Sequence, residues 1–390
     1  MTRRRIGAGT GIVLALIVLA AVCVVSGLLP PADAGALGAR IAPVLGFVVA
    51  ITIVAELARD AGVFDVLAQR LARAGRGRVA ALWASVVVLA VVSTVFLSLD
   101  TTAVIVTPVV VVLAQSVGVS PLPFALATVW LANTASLALP VSNLTNLLAA
   151  PAIGAEPAAF LALSWAPTLV GVLIPVAILT VMHRRTLFGA YRVPPPGTPS
   201  DRTLFCGAAA LLIVLLPLLT LTHDVWIPAT AAALLMVVLF AVRRRHVLRL
   251  TLVPWQALGL AAALFVLVET AHAGGLLDFL LSIAPEGHGV GELLRLAAVG
   301  ALAANGVNNL PAYLILEPAA TDPVALMALL IGVNLGPLVT PWASLATLLW
   351  HHRVVSLGVD IRWGRFMLWG LVVAVPTVLV ATVVLVLVSG

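Results

Sequence analysis

Polar side chains that could bind a ligand or a proton interrupt four apolar stretches of this 390-residue chain. The first interruption, FLSLDTTAVIVTP, contains Asp100, followed by Thr101 and Thr102. A charged group inside a membrane costs at least ~2.5 kcal/mol on insertion scales, so such groups are usually functional. Low-dielectric surroundings favour the neutral form of a carboxyl, which suits a proton carrier. Asp100 is therefore the candidate for proton coupling or substrate contact; the alternative is that it only caps the following helix.

The other three interruptions carry amide and hydroxyl groups, in the segments LANTASLALPVSNLTNLL, NGVNNLPAY and NLGPLVTPWASLATLL. The candidate binding residues in them are Asn133, Thr134, Ser142, Asn143, Asn308, Asn309, Asn334, Thr340 and Ser344. These side chains both donate and accept hydrogen bonds, as recognition of a small polar solute requires. The alternative is that they only join helices, at about 0.6 kcal/mol for an average bond. Their clustering at four interruptions favours a binding site.

The second interruption lies in residues 124–150, which are apolar apart from this polar middle. A continuous helix of that length would be about 40 Å long, more than the roughly 30 Å of a bilayer's hydrocarbon core. Pro140 also removes a backbone donor near the centre, so the helix is predicted to break there. Broken backbone at membrane depth is tolerated only where it lines a cavity or is buried in protein.

The same pattern returns at residues 334–349, so the sequence contains an internal repeat. Asn133 aligns with Asn334, and six of sixteen positions match at an offset of 201. Residues 56–67 align with 269–280 at an offset of 213, and the Asp100 segment aligns with NGVNNLPAYLILEP at 210. Residues 203–222 are predicted to form one extra crossing between the halves. An odd crossing inverts the second copy, and paired broken helices in inverted repeats indicate a transporter site at the midplane.

Composition restricts the chain to a membrane protein, because it is 62% hydrophobic and only 9% charged. The sequence shows no short strands of alternating hydrophobicity, which a porin-type barrel would require. The formal net charge of +6 comes from arginines in short loops between apolar segments, which is typical of the positive-inside bias and not of nucleic-acid binding. The two cysteines, Cys23 and Cys206, lie in apolar segments, so neither a disulfide framework nor a metal site is predicted.

The predicted fold is an all-α polytopic membrane protein with two inverted-topology repeats, each containing a re-entrant hairpin and a broken transmembrane helix. The first repeat covers residues 1–182, with its hairpin at about 80–117 and its broken helix at 124–150. A cytoplasmic linker and connecting span follow at 183–222. The second repeat covers 223–390, with a hairpin at about 290–319 and a broken helix at 323–350. Hydropathy alone leaves open whether each hairpin instead spans the membrane fully.

Location follows from the charged loops. The arginines of residues 59–78 and of the linker place the N-terminus in the cytoplasm and the protein in the cytoplasmic membrane. Residues 6–29 are read as a first span, and residues 41–58 as a second. The alternative reading of the N-terminus is a signal peptide, which its long apolar run disfavours.

The four motifs resemble, in order and spacing, those of the ion transporter superfamily, and within it the arsenite and antimonite efflux permeases of the ArsB type. The resemblance runs over nearly the whole chain. It implies two re-entrant hairpins, two unwound helices, and export of trivalent metalloid hydroxides in exchange for protons. It also implies a possible arsenite-stimulated ATPase as a partner and no cofactor. The carboxylate branch of the superfamily, which includes citrate-type permeases, implies a possible homodimer.

An alternative within the same superfamily is a sodium-coupled carboxylate carrier or a sodium/proton antiporter. Sodium-coupled relatives place Ser-Asn-Thr at the hairpin tips, whereas the tips here read Leu99, Asp100, Thr101 and Asn308, Asn309, Leu310. That departure weakens the sodium-dicarboxylate interpretation. No nucleophile motif, metal cluster or phosphate loop in the sequence supports an enzyme.

Overall fold

The protein is helical throughout the part of the chain that the structure describes. The structure, a computed structural model, describes residues 8–154, 157–193, 201–222, 224–276 and 289–389. Within those ranges the strand-like pairing is limited to one bridge, between Arg78 and Ala190. Eight helices there are long and apolar enough to cross a membrane. The predicted all-α polytopic class is confirmed.

The first half opens with α1 (Ala8–Val25) and the long α2 (Pro31–Asp60). The second span was predicted to begin at residue 41, but Pro31 at the first helical position starts the helix ten residues earlier. The other helices of this half are α3 (Val63–Ala74), α4 (Val79–Leu97), α5 (Leu99–Ser116), α6 (Leu122–Thr134), α7 (Leu144–Ile153) and α8 (Pro157–Met182). Helices α6 and α7 are the two parts of the predicted broken helix.

The second half begins after a short helical turn, Arg184–Leu187, and the linker. Its helices are α9 (Arg202–Leu221), α10 (Trp226–Arg243), α11 (Trp255–Ala273), α12 (Val290–Gly306), α13 (Asn309–Leu316), α14 (Pro323–Leu335), α15 (Leu345–Ser356) and α16 (Trp363–Ser389). Helix α9 is the extra crossing expected between the halves. At the offset of 213 the predicted counterpart of α3 is residues 276–287, which fall outside the described residues except for position 276, and residues 194–200 of the proline-rich linker also fall outside.

Helix packing follows the repeat. Helix α1 packs on α11, and the corresponding pair, α10 and α2, also pack together. In the first half α6 packs on α8, and in the second half α14 packs on α16. The second parts of the broken helices cross over: α7 contacts α13 and α14, whereas α15 contacts α5 and α6. Each contact is matched by the one that exchanging the repeats would give, as a two-fold relation requires.

The two hairpins turn at residues with unusual backbone conformations. Ser98 joins α4 to α5 at φ 90°, and Asn308 joins α12 to α13 at φ 149°. Both residues are N-caps, and their positions differ by the offset of 210 that relates the hairpins in the sequence. Side-chain acceptors at an N-cap satisfy amide groups that a helix start leaves free. Each tip is therefore a tight turn that ends one helix and begins the next.

Two related glycines let the last helix of each repeat approach a helix break. A Cβ atom added at Gly171 of α8 would be 3.1 Å from the carbonyl oxygen of Thr134, at the end of α6. A Cβ atom at Gly370 of α16 would overlap the carbonyl group of Leu338, in the break between α14 and α15. Backbone cannot move aside as a flexible side chain can, so Gly370 in particular is required for this packing.

We expect Gly370→Ala to destabilise the protein by about 3 kcal/mol or to prevent folding, because overpacking a rigid contact commonly costs 1–3 kcal/mol. Thermal unfolding of the purified protein in detergent measures the change. Gly364→Ala is the matched control, since it lies in the same helix and its added Cβ would have no heavy atom within 4 Å. Equal stability of the two variants would show that α16 does not need this close approach.

Candidate functional site

The four polar interruptions converge on one small cavity, which we call the tip cavity. Asp100 lies at the first hairpin tip, Asn308 and Asn309 at the second, and Asn143 and Ser344 at the two helix breaks. The rest of the lining is apolar and comes mainly from α2 and α11. The volume is about 50 Å³, enough for one or two water molecules in this closed state. The fold therefore brings all four motifs together at the interface of the repeats.

Asp100 lies in the first turn of α5, where its neighbours do not satisfy it. Its Oδ1 atom is buried and has no hydrogen-bond partner. The alternative prediction, that Asp100 caps the helix, is wrong, because Ser98 is the N-cap and its Oγ accepts from the amide of Thr101 at 3.5 Å. A helix N-terminus favours a carboxylate there through its dipole. Among the described residues that line the tip cavity, Asp100 is the ionisable one.

Thr101 and Thr102 follow Asp100 but do not line the cavity. The hydroxyl of Thr101 accepts a hydrogen bond from Ser98 at 3.2 Å, and that of Thr102 accepts one from Thr94 at 3.0 Å. Both residues are buried. The Thr102 hydroxyl therefore joins the two helices of this hairpin, and the Thr101 hydroxyl is bonded to the tip residue.

Asn334 joins the two broken helices at their breaks. Its Oδ1 accepts hydrogen bonds from Asn143 Nδ2 and from Thr145 Oγ1, each at 2.9 Å, and its Nδ2 donates to Asn146 Oδ1 at 2.7 Å. Asn143 in turn reaches Ser136 Oγ at 3.2 Å. All these side chains are buried. Asn334 therefore connects α14 to the first repeat, directly beside the tip cavity.

Its repeat counterpart, Asn133, has no such role. Asn133 donates only to the carbonyl oxygen of Val129 in its own helix, at 2.9 Å, and its buried Oδ1 has no partner. The counterparts of Asn143 and Asn146 are Ser344 and Thr347, whose buried hydroxyls also lack partners, as does that of Thr134. Of these residues, Ser344 lines the tip cavity together with Asp100. The polar side chains around Asn334 are therefore hydrogen-bonded to one another, whereas their repeat counterparts around Asn133 have buried polar atoms without hydrogen-bond partners.

In each repeat, one hydroxyl group of the helix break donates a hydrogen bond to the hairpin of the same repeat. Ser142 donates to the carbonyl oxygen of Val95 at 2.7 Å, and Thr340 donates to that of Asn305 at 2.8 Å. Val95 and Asn305 occupy equivalent hairpin positions at the offset of 210. Neither hydroxyl lines the tip cavity, so the structure gives Ser142 and Thr340 positioning contacts.

Sequence analysis did not select Asn305, although it lies in the motif NGVNNLPAY. Its Oδ1 accepts from the amides of Val339 and Thr340 at 3.2 and 3.0 Å, and its Nδ2 donates to the carbonyl oxygens of Ala301 and Gly336 at 2.8 Å. It thus satisfies backbone groups that the break exposes. The available signal was an amide side chain three residues before a tip and opposite a predicted break.

The second tip is fixed to the second break by main-chain contacts. Asn308 Nδ2 donates to the carbonyl oxygen of Trp342 at 2.9 Å. The main-chain amide of Asn309 donates to the carbonyl oxygen of Ala343, also at 2.9 Å. The side chain of Asn309 lines the tip cavity and is buried. Movement of this tip would therefore carry the second break with it.

Inverted repeats, broken helices and a cavity shared by the two repeats are typical of membrane transporters. The comparison with known families specifies it further: residues 5–324 match the family described as citrate transporter, and the chain belongs to that family.

Curated proteins similar to this chain include arsenical pump membrane proteins. The chain is 28% identical to the arsenical pump membrane protein of Yersinia enterocolitica over 363 residues, covering 87% of this chain and 85% of that protein. It is 27% identical to the protein of the same name from Escherichia coli (strain K12), with the same coverage. The resemblance to arsenical permeases is therefore confirmed.

A solved structure supports the fold. The crystal structure of the Alcanivorax borkumensis YdaH transporter, described as having an unusual topology, matches with a TM-score of 0.55 at 16% identity. The match covers 97% of each chain. At this identity the likeness establishes the fold alone.

Proposed function

We propose that this protein exports arsenite and antimonite across the cytoplasmic membrane by proton antiport, through alternating access at the tip cavity. The observation that carries the proposal is the composition of that cavity. It combines one carboxyl group, Asp100, with the amides and hydroxyl of Asn143, Asn308, Asn309 and Ser344. This set can bind a neutral polyhydroxide and exchange one proton.

The chemistry of the substrate supports a metalloid over a carboxylate. Arsenous acid is uncharged at neutral pH and offers three hydroxyl groups, so its binding needs hydrogen-bond partners and no counter-ion. Citrate or a dicarboxylate would bring negative charge next to Asp100. The described residues that line the tip cavity include no Arg, Lys or His to balance it. A carboxylate would have to rely on helix N-termini and bound cations.

The unpartnered groups near the cavity add to this argument. Leaving a buried polar group without a hydrogen bond costs about 1–3 kcal/mol. Asp100 Oδ1 and Ser344 Oγ carry this cost in the closed state, and both residues line the cavity. A substrate that supplies the missing hydrogen bonds recovers the free energy, which gives the site affinity for hydroxylated solutes.

Orientation follows from the arginines. The order of the helices places Arg40 and Arg295 at one end of the molecule, and the other arginines of the described residues at the opposite end. The arginine-rich end is the cytoplasmic one under the positive-inside bias. We therefore place the N-terminus in the cytoplasm and the entry to the second hairpin outside. An arsenite-stimulated ATPase and a homodimer remain possible partners on the basis of the resemblance.

Accumulation of arsenite in everted membrane vesicles tests the proposal. Vesicles that contain the folded protein should accumulate arsenite when their lumen is made acidic relative to the outside solution. They should not do so when this proton gradient is collapsed. The competing function is a sodium-coupled carboxylate carrier. Absence of arsenite accumulation together with sodium-dependent citrate transport would establish that function instead.

Thiol coordination of arsenic gives a further prediction. Cys23 is buried in α1 and Cys206 is exposed on α9, and neither lines the tip cavity. We expect the double variant Cys23→Ala, Cys206→Ala to retain arsenite transport within about twofold, as measured in the same vesicles. Loss of transport from a variant that still folds would contradict a site made of amides and hydroxyls.

A further inference from the structure

A second and larger cavity lies between α2, α11 and α13, and we call it the upper cavity. Its volume is about 260 Å³, and its charged or titratable lining consists of Arg40, Glu269, His272 and Glu317. Since a water molecule occupies about 30 Å³ in the liquid, this space holds several. The tip cavity, by contrast, holds one or two.

The two cavities follow one another along the same three helices. Ala261 and Leu264 of α11 line the tip cavity, and Phe265 and Val268 line the upper cavity. On α13 the corresponding change occurs between Leu310 and Leu314, about 6 Å apart along a helix. Phe265 and Leu314 are only 2% and 6% exposed. A thin apolar layer therefore separates the tip cavity from the upper cavity.

The titratable groups of the upper cavity differ in how well they are satisfied. Glu317 forms an ion pair with Arg40 and accepts a hydrogen bond from the Tyr313 hydroxyl at 3.1 Å. His272 is different, because its Nε2 atom is buried and has no partner. Glu269 lies one helical turn before it. Helix α1, which also packs on α11, contributes no Asp, Glu, Arg or His.

The equivalent position in the first repeat is closed. The offset of 213 pairs Glu269 with Glu56 and His272 with Arg59. Glu56 and Arg59 form an ion pair at 2.7 Å within α2. A permanent cation thus neutralises the acid at one end of the molecule, while a group that can gain and lose a proton occupies the other.

We propose that the upper cavity is the outer vestibule of the transport path, and that His272, with Glu269 beside it, takes up the proton that drives export. This inference rests on the proposed proton antiport. A hydronium ion in the external water transfers its proton to Nε2 of the imidazole and becomes a water molecule, and the imidazole becomes an imidazolium near two carboxylates. Separation of Phe265 from Leu314 joins the vestibule to the tip cavity. The proton then passes through water to the carboxylate of Asp100, and His272 returns to its neutral form.

Thiol labelling tests the position of the vestibule without any substrate. In the cysteine-free protein, a membrane-impermeant thiol reagent should modify Glu269→Cys in right-side-out vesicles and not in everted ones. Glu56→Cys, the repeat-related control, should be modified only in everted vesicles. Modification of position 269 from the cytoplasmic side, or from neither side, would overturn the vestibule.

Nuclear magnetic resonance tests the proton step, also without substrate. In lipid nanodiscs with isotope-labelled histidine, the His272 signals, assigned by their loss in His272→Gln, should change when the sample is acidified. The change should differ in Glu269→Gln. An imidazole that does not titrate would overturn the role of His272.

Transport then connects the vestibule to function. His272→Gln should lower gradient-driven arsenite accumulation at least tenfold and retain arsenite exchange in the absence of a gradient. His246→Gln, an exposed histidine at the opposite end, should behave as the wild type. Unchanged accumulation in His272→Gln would overturn the proton role. If the wild type moves no arsenite, the proposed function fails, while labelling and titration still decide the vestibule.

Discussion

The Asp100→Asn variant is expected to lose at least 90% of gradient-driven arsenite accumulation while folding normally. Asparagine keeps the size of the side chain and removes its ability to release a proton. Because Asp100 Oδ1 has no partner in the closed state, no protein hydrogen bond to that atom is lost. The amide also avoids the cost of an ionised group inside the membrane, at least ~2.5 kcal/mol on insertion scales. We therefore expect an unfolding temperature equal to or above that of the wild type.

Two transport measurements separate the roles that Asp100 can play. Exchange of labelled for unlabelled arsenite, without a proton gradient, requires substrate binding but no net proton movement. If Asp100 only carries the proton, Asp100→Asn retains exchange and loses accumulation; if it also binds arsenite, both are lost. Asp33→Asn, a change of the same chemistry outside the tip cavity, should affect neither. Wild-type accumulation in Asp100→Asn would remove this residue from the mechanism.

The Asn334→Ala variant is expected to destabilise the protein by about 3 kcal/mol, a large part of the stability of a typical domain. An interhelical hydrogen bond in a membrane protein is worth about 0.6 kcal/mol on average, but a buried group left unpaired costs about 1–3 kcal/mol. Removal of this amide leaves Thr145 Oγ1 and Asn146 Oδ1 without their cross-repeat partner. The second cost decides the outcome.

Asn133→Ala is the matched control, because the repeat places the same residue type at the same position of the first broken helix. Asn133 bonds only within its own helix, so its replacement should cost about 1 kcal/mol or less. Thermal unfolding in detergent, followed by tryptophan fluorescence, compares the two variants. Equal losses of stability would contradict the view that Asn334, and not Asn133, joins the two helix breaks by hydrogen bonds.

The architecture could be predicted from the sequence because membrane burial constrains composition strongly. The apolar stretches define the helices, and the aligned polar interruptions define the repeat, the hairpins and the breaks. The start of α2 was misplaced because PADAGALGAR consists mainly of small residues and includes two charged ones, so it gives little hydropathy signal. Pro31 is nevertheless a good first helical residue. The boundaries assigned to the repeats themselves remain predictions.

The site was predicted as a set of motifs, and its internal division was not. Asp100, Asn143, Asn308, Asn309 and Ser344 line the tip cavity, whereas the other selected residues do not. Asn305 was missed because its role is to bond backbone groups at the second helix break, and those contacts between separate segments are not visible in the sequence.

The sequence by itself determined that this protein spans the membrane as two related halves, because hydrophobicity and periodic polar breaks are local properties of the chain. Tertiary structure alone decided that Asn334 is saturated and Asn133 is not, although the two residues align. It also decided that Arg40, Glu269, His272 and Glu317, which come from three separate segments of the chain, line one cavity. The physical reason is that hydrogen bonds and cavities depend on distances between separate helices, which a linear pattern does not contain.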